Sequence, residues 1–365
     1  MVISFPGAVF FDFYNRKKAR SITEVHFAKP LHMIITDIAG FLICSLLIVY
    51  SGTRLAKYGD KISELTGIGK AWLGLVLMAG VTSLPELVTG ISSVAIIKKP
   101  NLAAGDVFGS CVFNLLILSM LDARIKKPLF SAVKSSHILA AVFGIILMTV
   151  AGAAIYFGEN SLSVLWISIF TFPLIGIYLL AVWSIFMYEK RAEALSEHHG
   201  KKPVANPSEL RKVIGSYSLN ALIVIGSAIF LPYFGEHIST ASGLSNSFFG
   251  TLFLAASTSM PELVISFAAL RIGSLDMAVG NLLGSNLFNM FIIGLDDIFY
   301  REGSLFAAIS PSHQISIFSV IIMSAVAGLG LLFKPGKKAL WLFSLDTFII
   351  LLFYILLMTY LFLHR

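Results

Sequence analysis

Charge is what this chain has least of. Only 13% of its 365 residues are Asp, Glu, Lys or Arg, against 57% that are hydrophobic, and its mean hydropathy is +0.86. A water-soluble chain of this length could not cover so much apolar surface, so the bilayer is expected to be its main solvent and partner. Cysteine is also scarce. The two present, Cys44 and Cys111, lie within apolar runs, which argues against a disulfide framework. Residues 1–33 lack the continuous apolar core of a cleavable signal peptide. None of the eight histidines falls in the middle of an apolar run, no HExxH motif occurs, and no serine has a base at hand. An intramembrane hydrolase is therefore set aside; no catalytic residue and no organic cofactor are expected. The formal charge of +7 sits in short connections between apolar runs, where it reports topology and not a nucleic-acid partner.

What is abundant is apolar sequence in lengths that suit helices. Runs at 34–51, 71–96, 103–121, 137–157, 162–187, 216–233, 247–270, 276–299, 314–333 and 339–363 are each long enough, at about 1.5 Å per residue, to cross ~30 Å of hydrocarbon. They lack the short alternating segments of a β-barrel. The expected fold is an all-α integral membrane protein of ten transmembrane helices. Two thirds of the 27 Lys and Arg residues fall on one set of alternate connections. The positive-inside rule then puts both termini outside and the 188–215 segment in the cytoplasm. The basic residues of 1–33 run against that count.

Self-comparison reveals a duplication. "TSLPELV" at 82–88 recurs as "TSMPELV" at 258–264, and "AAGDVFGSCVFN" at 103–114 recurs as "AVGNLLGSNLFN" at 278–289. The division that follows is an N-terminal segment 1–33, a first half 34–187, a linker 188–215 and a second half 216–365. Five spans per half, an odd number, make the copies cross the membrane in opposite directions, as an inverted repeat.

The matched polar residues carry the chemistry. A charge at mid-membrane costs at least ~2.5 kcal/mol, so Glu86 and Glu262 must face a partner, a cavity or an ion. Pro85 and Pro261 have no N–H to offer the carbonyls of Val81 and Ser257. Thr82 lies four residues before Glu86 and Thr258 four before Glu262, so each pair shares a helix face. Ser110 with Asn114, and Ser285 with Asn289, repeat that spacing beside the small residues Gly105, Gly109, Gly280 and Gly284. The donor set is oxygen, which suits Ca²⁺ or Na⁺ and not zinc or copper. Two glutamates balance one Ca²⁺, and monovalent ions could use the same oxygens singly.

At these residues the chain resembles the cation/calcium exchanger superfamily, whose two repeats read approximately G-T-S-x-P-E and G-N-x-x-G-S-N-x-x-N. The resemblance implies that Glu86 and Glu262 are central ligands beside the carbonyls of Thr82 and Thr258. It further implies that Ser83, Ser110, Ser259 and Ser285, with the carbonyls of Ala79 and Ala255, line flanking monovalent sites, and that Asn114 and Asn289 close the middle. Val81 and Ser257 stand where the family usually has glycine, and Asp106 and Cys111 replace asparagines in the first copy only. Some relatives carry Asp at the position of Asn289. No long regulatory insert separates the halves. The function implied is exchange of Ca²⁺ for Na⁺ in the plasma (inner) membrane. A Ca²⁺/H⁺ antiporter of the same fold is the alternative, and a non-transporting sensor or scaffold the reading from another class. Small inorganic cations are the expected ligands; the sequence is silent on oligomeric state.

Overall fold

The apolar runs form helices because lipid leaves the backbone no external hydrogen-bond partner, and a helix satisfies its own amides. The computed structural model describes residues 31–66, 79–195, 207–271 and 273–364. Most of the N-terminal segment (1–30), residues 71–78 of the second predicted span, and residues 196–206 of the linker lie outside the described residues. The first half contains α1 (Leu31–Thr66), the short α2 (Ala79–Thr82), α3 (Leu84–Ile91) running into a π-helical turn (Ser92–Ile96), α4 (Pro100–Asp122), α5 (His137–Phe157) and α6 (Thr171–Leu195). A small antiparallel hairpin precedes α6, with β1 (Ser163–Val164) paired to β2 (Ile167–Ser168). The second half contains α7 (Pro207–Ser242), α8 (Asn246–Phe249), a π-helical turn (Gly250–Leu254), α9 (Ala255–Thr258), α10 (Met260–Arg271), α11 (Leu275–Phe299), the short α12 (Leu305–Ala308), α13 (His313–Phe333) and α14 (Leu345–Leu363).

Among the described residues, eight helices are long and apolar enough to span a membrane, or nine if the 45° bent run from Asn246 to Arg271 counts as one span; Leu84–Ile96 is a shorter apolar helix. The expected second span, 71–96, thus has its first part outside the described residues. Other boundaries differ from those expected. The runs at 34–51 and 216–233 are segments of two 36-residue helices, α1 and α7, so residues 52–66, 207–215 and 234–242 are helical and not loop. At about 1.5 Å per residue these helices exceed a ~30 Å hydrocarbon layer, so they tilt or project beyond it. The runs at 162–187 and 339–363 lose their first residues to extended turns. Leu165 and Trp341 take positive φ there, a conformation no helix continues through.

Depth is distributed unevenly. In α4 and α11, 83% and 78% of the most apolar window is buried, against 22% in α1, α6 and α14. The two deep helices run antiparallel side by side: Cys111 meets Asn289 while Asn114 meets Asn286. Close approach comes from glycine. A Cβ on Gly105 would fall 2.9 Å from Gly250 Cα, and one on Gly109 would fall 2.5 Å from the Thr251 carbonyl. The α4 backbone therefore touches the backbone of the broken span in the other half. The outer helices turn Leu46, Leu222 and Phe318 outward, an apolar surface for a bilayer to cover.

Helix ends are tied across the halves by buried aspartates. Asp122 accepts from Leu129 N, and from Ser344 N, Ser344 Oγ and Thr347 Oγ1 at the start of α14. Asp297 accepts from Leu305 N, and from Ser168 N and Thr171 Oγ1 at the start of α6. Lys338 adds its ammonium to the Asp122 carboxylate and main-chain carbonyl. Both aspartates are buried at helix ends as hydrogen-bond acceptors. Asp346 sits in the first turn of α14, where it accepts from Thr347 N.

Candidate cation site

Each half has one span interrupted in the same way. Ser83 takes φ −89° and ψ 14° between α2 and α3, and Ser259 takes φ −87° and ψ 7° between α9 and α10. Both lie in the sparsely allowed bridge region. Proline fixes the place of the interruption. Pro85 and Pro261 are second residues of the helices that restart, where a missing N–H costs nothing. Glu86 and Glu262 follow as third residues, in the first turn of a half-helix whose positive end favours negative charge. Each carboxylate also lies back against its own main-chain N–H.

The side chains around the two glutamates are exchanged between halves. Ser259 Oγ donates to Glu86 Oε1 at 2.8 Å, and Ser83 Oγ donates to Glu262 Oε1 at 3.3 Å. Thr258 and Ser110 also lie against Glu86, as Thr82 and Ser285 lie against Glu262. Ser110 Oγ meets Thr258 Oγ1 at 3.5 Å, and Ser285 Oγ meets Thr82 Oγ1 at 3.4 Å. Eight of the twelve sequence-predicted residues are joined by these contacts, and Asn114 and Asn289, one turn on from Ser110 and Ser285 in α4 and α11, bring the buried ones to ten, Ala79 and Ala255 standing outside. None of the ten is more than 1% exposed. Ala79 opens α2. The Ala255 carbonyl is engaged within its own half, accepting from Ser259 N and from Thr258 Oγ1.

The amides complete the arrangement. Asn114 Nδ2 donates to Asn286 Oδ1 at 3.0 Å, and Asn286 Nδ2 donates to the Cys111 carbonyl. Asn289 Nδ2 reaches Cys111 Sγ at 3.7 Å. With both amide nitrogens held, the oxygens are what remain. Glu86 Oε2, Glu262 Oε2, Asn114 Oδ1 and Asn289 Oδ1 are all buried without a hydrogen-bond partner. Four orphaned oxygens on four repeat-matched residues are costly unless something positive sits among them. Among the described residues no three His, Cys, Asp or Glu groups converge on one point. An ion placed here would find at most two carboxylates, with amide, hydroxyl and main-chain oxygen as the other donors within the cluster.

Two neighbours escape the repeat comparison. Asn286 orients Asn114, yet its counterpart is Cys111, so matching identical residues passes over it. Asp106 Oδ1 accepts from Thr258 Oγ1 at 2.9 Å, while its counterpart is the uncharged Asn281; the departure from the family motif was the only signal.

A bundle of apolar helices with a charged oxygen cluster buried at its centre defines a multi-pass integral membrane protein of the cation-transporting kind. The pattern of the family described as sodium/calcium exchanger protein matches residues 36–188 and 212–363, and the chain belongs to that family of cation antiporters. It is similar to the inner membrane protein YrbG of Escherichia coli (strain K12), with 28% identity over 68% of this chain and 75% of that one. It is similar also to the membrane protein MJ0091 of Methanocaldococcus jannaschii, with 26% identity over 85% and 94%. A solved structure of the sodium-calcium exchanger NCX_Mj, soaked with Na⁺ and Sr²⁺, superposes with a TM-score of 0.60 at 19% identity, covering 89% of this chain and 98% of that one. That likeness is one of fold.

Proposed function

We propose that the chain exchanges Ca²⁺ for Na⁺ by alternating access, with Glu86, Glu262, Asn114 and Asn289 as central ligands. Thr82, Thr258, Ser83, Ser259, Ser110 and Ser285, with the main chain at Ala79 and Ala255, line the flanking positions. The observation that carries this reading is the set of four buried, unpartnered oxygens on repeat-matched residues. Two carboxylates neutralise one Ca²⁺, and two amide oxygens with nearby hydroxyl and carbonyl groups bring the count toward the six to eight ligands that Ca²⁺ takes. The same oxygens, used singly, serve Na⁺.

Exchange follows from the cost of an empty site. Without a cation, two carboxylates stay buried and uncompensated, which disfavours the closed intermediate between the inward and outward states. Only loaded forms cross readily, so one ion moves in as another moves out. The architecture behind this is ten spans in two inverted halves, 34–187 and 216–365, joined by a cytoplasmic linker at 188–215. Both termini are outside, in the plasma (inner) membrane. The contacts swapped between halves at Glu86 and Glu262, and again at Asp122 and Asp297, favour that symmetry.

Purified protein in liposomes preloaded with Na⁺ is expected to take up ⁴⁵Ca²⁺ when the outside is diluted into Na⁺-free buffer. Uptake driven equally by an imposed H⁺ gradient with no Na⁺ would replace the counter-ion with a proton. Uptake indifferent to either gradient would overturn antiport altogether.

A further inference from the structure

One face of α4 carries a row of polar side chains, Asp106, Ser110 and Asn114, each four residues from the next. The matching row on α11 is Asn281, Ser285 and Asn289. Only the first position differs, a carboxylate in one copy and an amide in the other. The difference is felt at the threonines. Asp106 is fully buried, and its Oδ1 accepts from Thr258 Oγ1 at 2.9 Å. Asn281 has both atoms of its amide buried without a hydrogen-bond partner, so it makes no such bond to Thr82.

A threonine hydroxyl has a single proton to give. Thr258 Oγ1 has three acceptors in reach: Asp106 Oδ1 at 2.9 Å, the Leu254 carbonyl at 3.1 Å and the Ala255 carbonyl at 3.3 Å. The carboxylate is the nearest, and a charged acceptor makes the stronger bond. With the proton turned to Asp106, the lone pairs of Thr258 Oγ1 are left for Ser110 Oγ, 3.5 Å away, and for a cation. The Ala255 carbonyl keeps the Ser259 N–H and has a second lone pair to offer. Asp106 spends its charge on nothing else. Its Oδ2 has no hydrogen-bond partner, and among the described residues no ion pair reaches it.

We infer that Asp106 is a positioning residue of the central site. It acts through the Thr258 hydroxyl to favour a monovalent cation at the flanking position lined by Thr258, Ser110 and the Ala255 carbonyl. Asp106 is not a ligand, because Thr258 stands between it and the ion. The inference rests on the exchanger reading, under which these residues hold Na⁺. It makes the two flanking positions unequal: the one at Thr258 has a carboxylate behind its hydroxyl, and the one at Thr82 has an amide that does not touch it. Ca²⁺, held by two carboxylates and two amides, gains a smaller share of its ligands from one oriented hydroxyl.

Equilibrium dialysis of the purified full chain with ⁴⁵Ca²⁺ and increasing Na⁺ reads both affinities. One is the Ca²⁺ dissociation constant, the other the Na⁺ concentration that displaces half of the bound Ca²⁺. Asp106→Asn keeps the size and an acceptor oxygen but removes the charge. It is expected to raise the half-displacing Na⁺ concentration about three- to tenfold, and the Ca²⁺ dissociation constant less than about twofold. Asp106→Ser, smaller and uncharged, is expected to act in the same direction and keeps the test open if Asp106→Asn does not fold. Thr258→Val removes the hydroxyl and should leave Asp106→Asn nothing further to change, since residues acting through one bond are not additive. Equal shifts in both constants, or in neither, would overturn the role of Asp106 and leave the exchanger reading standing. A further Na⁺ shift when Asp106→Asn is added to Thr258→Val would overturn it too, because the carboxylate would then act without the hydroxyl. Wild-type protein that binds no Ca²⁺, or binds Ca²⁺ that Na⁺ does not displace, would overturn the exchanger reading and this inference together.

Discussion

In the first half Asp122 closes α4 by accepting from Leu129 N, then reaches Ser344 and Thr347 of the other half. In the second half Asp297 closes α11 by accepting from Leu305 N, then reaches back to Ser168 and Thr171. Leu129, Ser344 and Thr347 at one aspartate correspond to Leu305, Ser168 and Thr171 at the other, Lys338 being an addition at Asp122, and the hydroxyls around Glu86 and Glu262 exchange in the same way. The halves part company along the facing strip of α4 and α11, where Asp106, Cys111 and Leu121 oppose Asn281, Asn286 and Asp296. Two-fold symmetry is thus kept where a central ion would be gripped and where the outer helices are anchored. It is given up on the strip leading away from the centre. If the chain works as proposed, the shared features would serve both directions of transport alike and the unshared ones only one face.

That comparison can be broken most forcefully at the glutamates. Glu86→Gln and Glu262→Gln are expected to reduce Na⁺-driven Ca²⁺ uptake alike. Each removes one of two charges, a loss of roughly 3 kcal/mol, or about a hundredfold. Flux assays on protein of unchanged elution volume check this; wild-type uptake in either variant would remove that residue from the site. Next come the helix-end clamps. Asp122→Ala and Asp297→Ala each leave several buried donors unpaired and are expected to lower stability in detergent by about 2–4 kcal/mol. Asp122 should cost more because Lys338 also loses its partner. Thermal unfolding gives the order, and an equal or reversed effect would show that Lys338 adds nothing to the first clamp.

Much of this was legible in the sequence, and the exceptions have physical causes. The duplicated T-S-x-P-E-L-V motif marked both the interruption and the charge, because proline and an intramembrane carboxylate have few uses in lipid. The lengths of α1 and α7 were not legible. Residues such as Arg54, Lys57 and Glu209 read as loop by hydropathy, yet a helix can carry them beyond the hydrocarbon without ending. The left-handed turns at Leu165 and Trp341 were hidden inside apolar runs, since hydropathy does not register backbone conformation. Ser168, Ser344 and their aspartates lay more than a hundred residues apart, and only the fold brings them together. Asp296 offered no signal because a search for matched residues cannot find one whose counterpart is leucine.

The smallest expected effect sharpens the comparison from the other direction. Cys111 imitates the missing asparagine weakly, its sulfur 3.9 Å from the Asn286 carbonyl and 3.7 Å from Asn289 Nδ2. Cys111→Asn would restore the second-half pattern with shorter bonds and is expected to raise stability by about 0.5–1.5 kcal/mol. Ca²⁺ uptake should change only slightly. A large fall in uptake would mean that the thiol has a part in the site that the amide cannot take.

The four oxygens without partners mark the proposed cation site. Its most direct test is the structure of the wild-type protein with Ca²⁺ bound, read for the ion's position. The expected result is one ion within about 2.3–2.6 Å of Glu86 Oε2 and Glu262 Oε2, with the amide oxygens of Asn114 and Asn289 turned toward it. An ion-loaded structure in which those four oxygens remain empty, or are hydrogen-bonded to one another, would contradict it.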